Sequence, residues 1–322
     1  MKTARHGMLA FMLLAALHSA SAGLLRDRIM ERRAQHEQQQ ESDDMDDGST
    51  GAPASMPAGV RVMRDISYGS DPLQRFDVWL PAQAKPGAPV IFMVHGGGWR
   101  RGDKHMATVV DNKVARWVPR GFIFISTNYR MLPGTAPIDQ ARDVALALAT
   151  AQQKAASWGG DPGKFVVMGH SAGAHLVALL GVSPDMVAAA GARPWLATIP
   201  LDSAALDVPQ IMEKRHMRLY DAAFGKDPDY WRRASPYHQI TQTVRPFLVV
   251  CSSKRSDSCP AAHAFVTKLA AVGTQGSVLE EPMTHKEINQ RLGEEPAYTS
   301  AVEDFMRKLD PVVAATLAGR AP

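Results

Sequence analysis

The stretch Phe165-Val166-Val167-Met168-Gly169-His170-Ser171-Ala172-Gly173 joins an apolar run to a glycine-flanked serine, and an apolar helical run over Ala172 to Leu180 follows it. Four consecutive apolar residues bounded by a glycine turn read as a buried strand. The G-x-S-x-G pattern between strand and helix predicts a sharp elbow that holds Ser171 out of the backbone. Its glycines matter because the turn is tight and larger side chains would meet the adjacent strand and helix. Gly-Ser-Gly turns alone are ordinary loop chemistry. The flanking elements give this one its content.

Outward from the elbow the same alternation repeats. Strands are predicted over Arg75 to Leu80, Pro89 to Val94 and Phe122 to Thr127, and later over Ala197 to Leu201, Phe247 to Cys251 and Ser277 to Glu281. Helices are predicted over Met106 to Arg120, Ile138 to Ser157, Ala261 to Val272 and Thr299 to Leu309. Strand-helix alternation implies an α/β fold with a mostly parallel sheet covered on both faces. Such a sheet binds ligands beyond the carboxyl ends of its strands.

Chemistry-bearing residues fall where that rule puts them. His95-Gly96-Gly97-Gly98-Trp99 directly follows the strand Val90 to Val94. Glycines there let backbone N–H groups approach a reacting oxygen, so Gly97, Gly98 and Ala172 are the candidate oxyanion donors. A phosphate loop is disfavoured, because neither a Lys-Ser/Thr ending nor G-x-G-x-x-G spacing is present. His95 is expected to orient the loop. Trp99 is read as a substrate wall or as core packing.

A serine hydroxyl needs a base to accept its proton, and the imidazole needs a carboxylate to fix its tautomer. After a serine elbow the acid precedes the histidine along the chain. His285 follows the strand-like Ser277 to Glu281 and a short loop, a placement no other of the eleven histidines has. Of the ten carboxylates between Ser171 and His285, Asp257 alone lies in the loop just after Phe247 to Cys251 and is the expected acid. Asp202, one residue past the strand ending at Leu201, is the alternative. His170 and His175 flank the elbow; they pack or line the pocket, and His170 is taken as a substrate-binding candidate.

With H-G-G-G-W and G-H-S-A-G in place, the chain from about Val60 to Leu309 resembles the α/β-hydrolase superfamily, in its acetyl-esterase and hormone-sensitive-lipase-like branch. The segment His285 to Gly293 resembles the terminal histidine motif of bacterial carboxylesterases and kynurenine-formamidase-like relatives. The resemblance implies a metal-free serine hydrolase working through an acyl-enzyme. One departure stands in the acid loop, which often reads Gly-x-x-Asp in the family and here reads Cys251-Ser252-Ser253-Lys254-Arg255-Ser256-Asp257.

Composition sets the outer limits. With 322 residues, 45% hydrophobic and 21% charged, the chain can bury a core and is neither disordered throughout nor fibrous. Lys2 and Arg5, the apolar run Met8 to Leu17 and Ala20-Ser21-Ala22 read as a secretory signal over residues 1–22. A membrane anchor is the rival, but about ten apolar residues fall short of the roughly twenty that span a bilayer. The formal charge is +4, and taking Lys2 and Arg5 from the 36 basic residues against 32 acidic ones leaves +2. So small a surplus argues against nucleic-acid binding. Residues 23–58 have linker composition, 59–312 form the expected catalytic domain, and 313–322 are an expected tail. Neither metal nor other cofactor is expected, since His and Cys lack ligand spacing. The two cysteines, Cys251 and Cys259, are expected to pair in an exported protein and order the loop around Asp257; two reduced thiols are the alternative.

Residues 202–245, between two strands, are read as a small cap whose methionines and aromatics bind substrate or form the cap's own core. The expected function is an exported carboxylesterase for short-chain or aromatic small-molecule esters. An arylformamidase or amidase with the same triad, and a non-catalytic binding module, are the alternatives. Oligomeric state is left open.

Overall fold

The computed structural model describes residues 28, 56–83 and 85–319, and the architecture below belongs to the unit Asp44–Pro322. The expected signal and most of the expected linker lie outside the described residues. In chain order, β1 (Arg61–Ser67), β2 (Arg75–Leu80) and β3 (Ala88–Val94) lead to α1 (Ala107–Trp117) and β4 (Ile123–Thr127). Then come α2 (Pro137–Lys154), β5 (Gly160–His170), α3 (Ala172–Gly181), α4 (Pro184–Ala189) and β6 (Ala197–Leu201). Four short helices, α5 (Val208–Met212), α6 (Arg218–Phe224), α7 (Pro228–Ala234) and α8 (Pro236–Gln239), fill the segment before β7 (Phe247–Ser252). The chain closes with α9 (Ser258–Ala271), β8 (Gly276–Glu281), α10 (His285–Gln290), α11 (Pro296–Arg307) and α12 (Pro311–Leu317).

The eight strands form one sheet in the order β1-β2-β4-β3-β5-β6-β7-β8. β2 is antiparallel to both β1 and β4, and every other pairing is parallel. Successive side chains of a strand point to opposite faces, so a sheet covered on both sides needs continuous apolar strands. β3 shows this directly. Val90, Phe92 and Val94 enter the core cluster that contains α2 and α3, while Ile91 and Met93 enter the one that contains α1, α11 and α12. Fully burying one such side chain contributes roughly 1.5–3 kcal/mol.

Two differences from the sequence reading have physical causes. β1 was not expected, because its charged, half-exposed residues lack the apolar run of a central strand. Among the described residues it pairs on one side only, and its register breaks between Met63 and Ile66, where Asp65 takes a positive φ of 54°. Behind it the carboxylate of Asp77 is buried and accepts from Arg64 at 2.7 Å and Lys104 at 3.0 Å. Residues 313–319 are no loose tail: Asp310 caps α12 through the N–H of Val312 at 2.7 Å, and Val313 and Leu317 are buried. The Cys251–Cys259 disulfide is present and joins the end of β7 to the start of α9.

Candidate active site

Five strands deliver the site at their carboxyl ends. Ser171 follows β5 with φ 55° and ψ −118°, a conformation that non-glycine residues adopt only under constraint. The constraint is visible on both sides. Its N–H donates to Leu201 O on β6 at 3.0 Å. A Cβ on Gly169 would lie 2.4 Å from Gly173 O, and one on Gly173 would lie 2.3 Å from Val94 O, so only glycine permits this packing.

β6 ends in the same manner. Asp202 has φ 55° and a fully buried carboxylate. Its Oδ2 accepts from His285 Nδ1 at 2.5 Å and from Arg255 at 3.2 Å; its Oδ1 accepts from Ser252 N–H at 2.7 Å and from the Ser258 hydroxyl. Burial alone would raise its pKa. The hydrogen bond and charge of His285, the charge of Arg255 and the Ser258 hydroxyl outweigh burial and hold the carboxyl well below the ordinary carboxylate range. His285 opens α10, whose first turn is fixed by a capping box between Thr284 and Glu287.

Ser171, Asp202 and His285 border one narrow cleft of about 20 Å³, space for about one water. Gly98 and Ala172 border it on the glycine-loop and elbow sides, and Leu219 and Tyr220 from α6 on the inserted side.

The expected acid is corrected. Asp257 does not reach His285; its exposed carboxylate receives both Nε and one terminal nitrogen of Arg255, at 3.1 and 3.2 Å. The guanidinium beside it takes that carboxylate, and the imidazole is served instead by Asp202 from the neighbouring strand end. His170 is corrected too. It is fully buried and does not border the cleft; its ring lies 4.4 Å from that of His285 and its Nε2 is 3.0 Å from the His285 carbonyl oxygen, so it supports the base from beneath.

Gly97 sits behind the cleft rather than on it. It has φ 105°, and a Cβ there would fall 2.2 Å from Arg101 O. Its carbonyl accepts from Arg100 and Arg101 N–H, which shapes the loop that brings Gly98 forward. His95 is buried, stacks on Tyr129 at 4.6 Å and places Nδ1 2.7 Å from Gly96 O. Trp99 borders the cleft and also packs on Phe224 and Tyr220. Its indole N–H donates to His175 Nδ1 at 3.2 Å, and His175 Nε2 lies 2.7 Å from Ala234 O. That histidine is buried, which lowers its pKa to about 4 against a smaller opposing effect of the Ala234 carbonyl.

Sequence reasoning missed Arg255, whose guanidinium is 2.8 Å from His285 Nδ1 and borders the cleft. A cation beside an acidic loop residue was readable as a local pair. Its reach to Asp202, 53 residues away, was not. Among the described residues no group of three His, Cys, Asp or Glu side chains is placed to hold a metal ion, and no helix is long and apolar enough to cross a membrane.

Comparison with known proteins bears on the fold and the class of enzyme. A family model described as BD-FAE matches residues 76–193, which include the elbow but not Asp202, Arg255 or His285. The chain is 30% identical over 242 residues to esterase LipC of Mycobacterium tuberculosis (strain ATCC 25618 / H37Rv), covering 68% of this chain and 58% of that protein. It is 32% identical over 118 residues to a probable isoprenylcysteine alpha-carbonyl methylesterase of Oryza sativa subsp. japonica, covering 37% of this chain and 28% of that one. The chain thus spans less than two thirds of the length of either relative. Esterase B from Lactobacillus rhamnosis has the same fold, with a TM-score of 0.66 at 17% identity over 89% of this chain and 94% of its own. Sheet order and this likeness show that the chain has the α/β-hydrolase fold, and the curated proteins it is similar to are esterases.

Proposed function

We propose that this protein is an exported serine carboxylesterase acting on small, short-chain or aromatic esters. The observation that carries the reading is the 2.5 Å contact between His285 Nδ1 and the buried Asp202, at a cleft that Ser171 also borders. Asp202 fixes the imidazole with its proton on Nδ1 and supports the positive charge that forms. His285 Nε2 takes the Ser171 proton as Oγ bonds to the ester carbonyl carbon, then returns it to the departing alcohol. Water attacks the acyl-serine through the same base and regenerates the hydroxyl. The N–H groups of Gly98 and Ala172 receive the charge that develops on the carbonyl oxygen.

The narrow cleft supports a short acyl chain, and Leu219 and Tyr220 border it on the inserted side. The Cys251–Cys259 bond supports an oxidising compartment. The test is hydrolysis of p-nitrophenyl esters from acetate to decanoate beside an N-formyl aryl amide. We expect turnover to be highest on acetate and butyrate, and Ser171→Ala to lower kcat by about 10⁴-fold or more. Turnover retained by Ser171→Ala refutes the mechanism. Preference for the formyl amide moves the assignment to an arylformamidase with the same residues.

A further inference from the structure

We propose that Arg255 is a positioning residue for His285: its guanidinium braces the Asp202 carboxylate, and its charge opposes protonation of the imidazole. The proposal rests on the esterase reading above. The geometry is a triangle, in which one guanidinium nitrogen lies 2.8 Å from His285 Nδ1 and 3.2 Å from Asp202 Oδ2, with Nδ1 and Oδ2 2.5 Å apart. Guanidinium nitrogens only donate. Asp202 Oδ2 therefore serves two donors that face each other, and an imidazolium there meets a like charge at contact distance.

Arg255 is held firmly in this position. Its side chain is only 8% exposed, Asp257 clamps its other two donor nitrogens, and the clamp lies inside the loop closed by Cys251–Cys259. This gives Asp257 a role other than the one its sequence position suggested.

The remaining charged and titratable groups around His285 do not duplicate that of Arg255. His170 lies beneath the ring. Glu287, on the same helix, is engaged with Thr284 and Lys254. Lys113, from α1, donates to Asn289 at the far end of α10, and Lys286 is the next residue along. His285 Nδ1 itself faces the Asp202 carboxylate and the Arg255 guanidinium.

The test compares Arg255→Met and Arg255→Gln, which remove the charge, with Arg255→Lys, which keeps it. The readouts are the pH profile of kcat/KM on p-nitrophenyl butyrate and the NMR titration of the His285 ring in the Ser171→Ala background, which needs no turnover. Both neutral variants are expected to move the acid limb and the ring titration upward by about one pH unit, while the Lys variant stays near the parent. The sign follows because only a neutral imidazole accepts the serine proton, and removing a neighbouring cation lets the ring protonate at higher pH. An unmoved midpoint in both neutral variants, including a uniform loss of rate at every pH, overturns the proposal. A Lys variant shifted as far as Met overturns it as well. If Arg255→Met does not fold, Arg255→Gln, which keeps a donor for Asp202, carries the test. Absence of esterase turnover in the parent refutes the function instead and leaves the ring titration as the measure of Arg255.

Discussion

The two rims of the sheet differ in a way that runs against size. At the amino ends of β3 and β4 lies an open cleft of about 440 Å³, bordered by Pro81, Lys85, Pro89, Arg120 and Thr316. At the carboxyl ends the cleft is only about 20 Å³. Yet Trp99, Ser171 and Asp202, three of the four positive-φ non-glycine residues among those described, all border the small cleft. Such conformations cost of order 1–3 kcal/mol each. The buried Asp202 and the buried His175 belong to the same end. Strain and buried charge are expensive to maintain, so where they gather says more about chemistry than cavity volume does.

The sharpest way to break this contrast is to change one carboxylate at a time. Asp202→Asn should lower kcat on short esters by about 10⁴-fold through loss of the imidazole's partner, whereas Asp257→Asn should stay within about tenfold. Steady-state kinetics on both variants checks this, and a reversed order removes Asp202 from the site. A stability measurement comes next. His175 titrates near pH 4 in the fold and near 6.5 unfolded, so the unfolded chain binds the extra proton between those values and stability falls as pH falls. The parent should lose about 3 kcal/mol between pH 7 and 4 from this residue, and His175→Gln should keep that share in urea unfolding at the two pH values. The smallest effect belongs to the other rim: Lys85→Ala should leave kcat/KM within about twofold, and a larger loss would mean the open cleft takes part.

The central strands, the elbow and the glycine loop were legible because each is local. Phe165 to Ser171 carries its own strand, turn and nucleophile, and β2 and β6 were read with the observed ends. The acid was not legible for the opposite reason. Asp202 is chosen by Ser252 N–H, Ser258 and His285, partners 50 to 83 residues further along, and nothing in its own neighbourhood announces them. Asp257 looked right by order along the chain, but its neighbour Arg255 had already claimed it. The short helices α5 to α8 were read only as a mixed segment, since none is long enough to establish a period.

The break in β1 bears on how the molecule meets copies of itself. An outermost strand offers unpaired backbone donors and acceptors that a second chain can extend, and a register fault with an outward bend spoils that template. Asp65, at positive φ, lies inside the fault, and its exposed carboxylate, paired with Lys104, adds charged groups on the same edge. A strand arriving there would have to reproduce the fault to pair along its length, so this side of the sheet is built to resist fibrous growth.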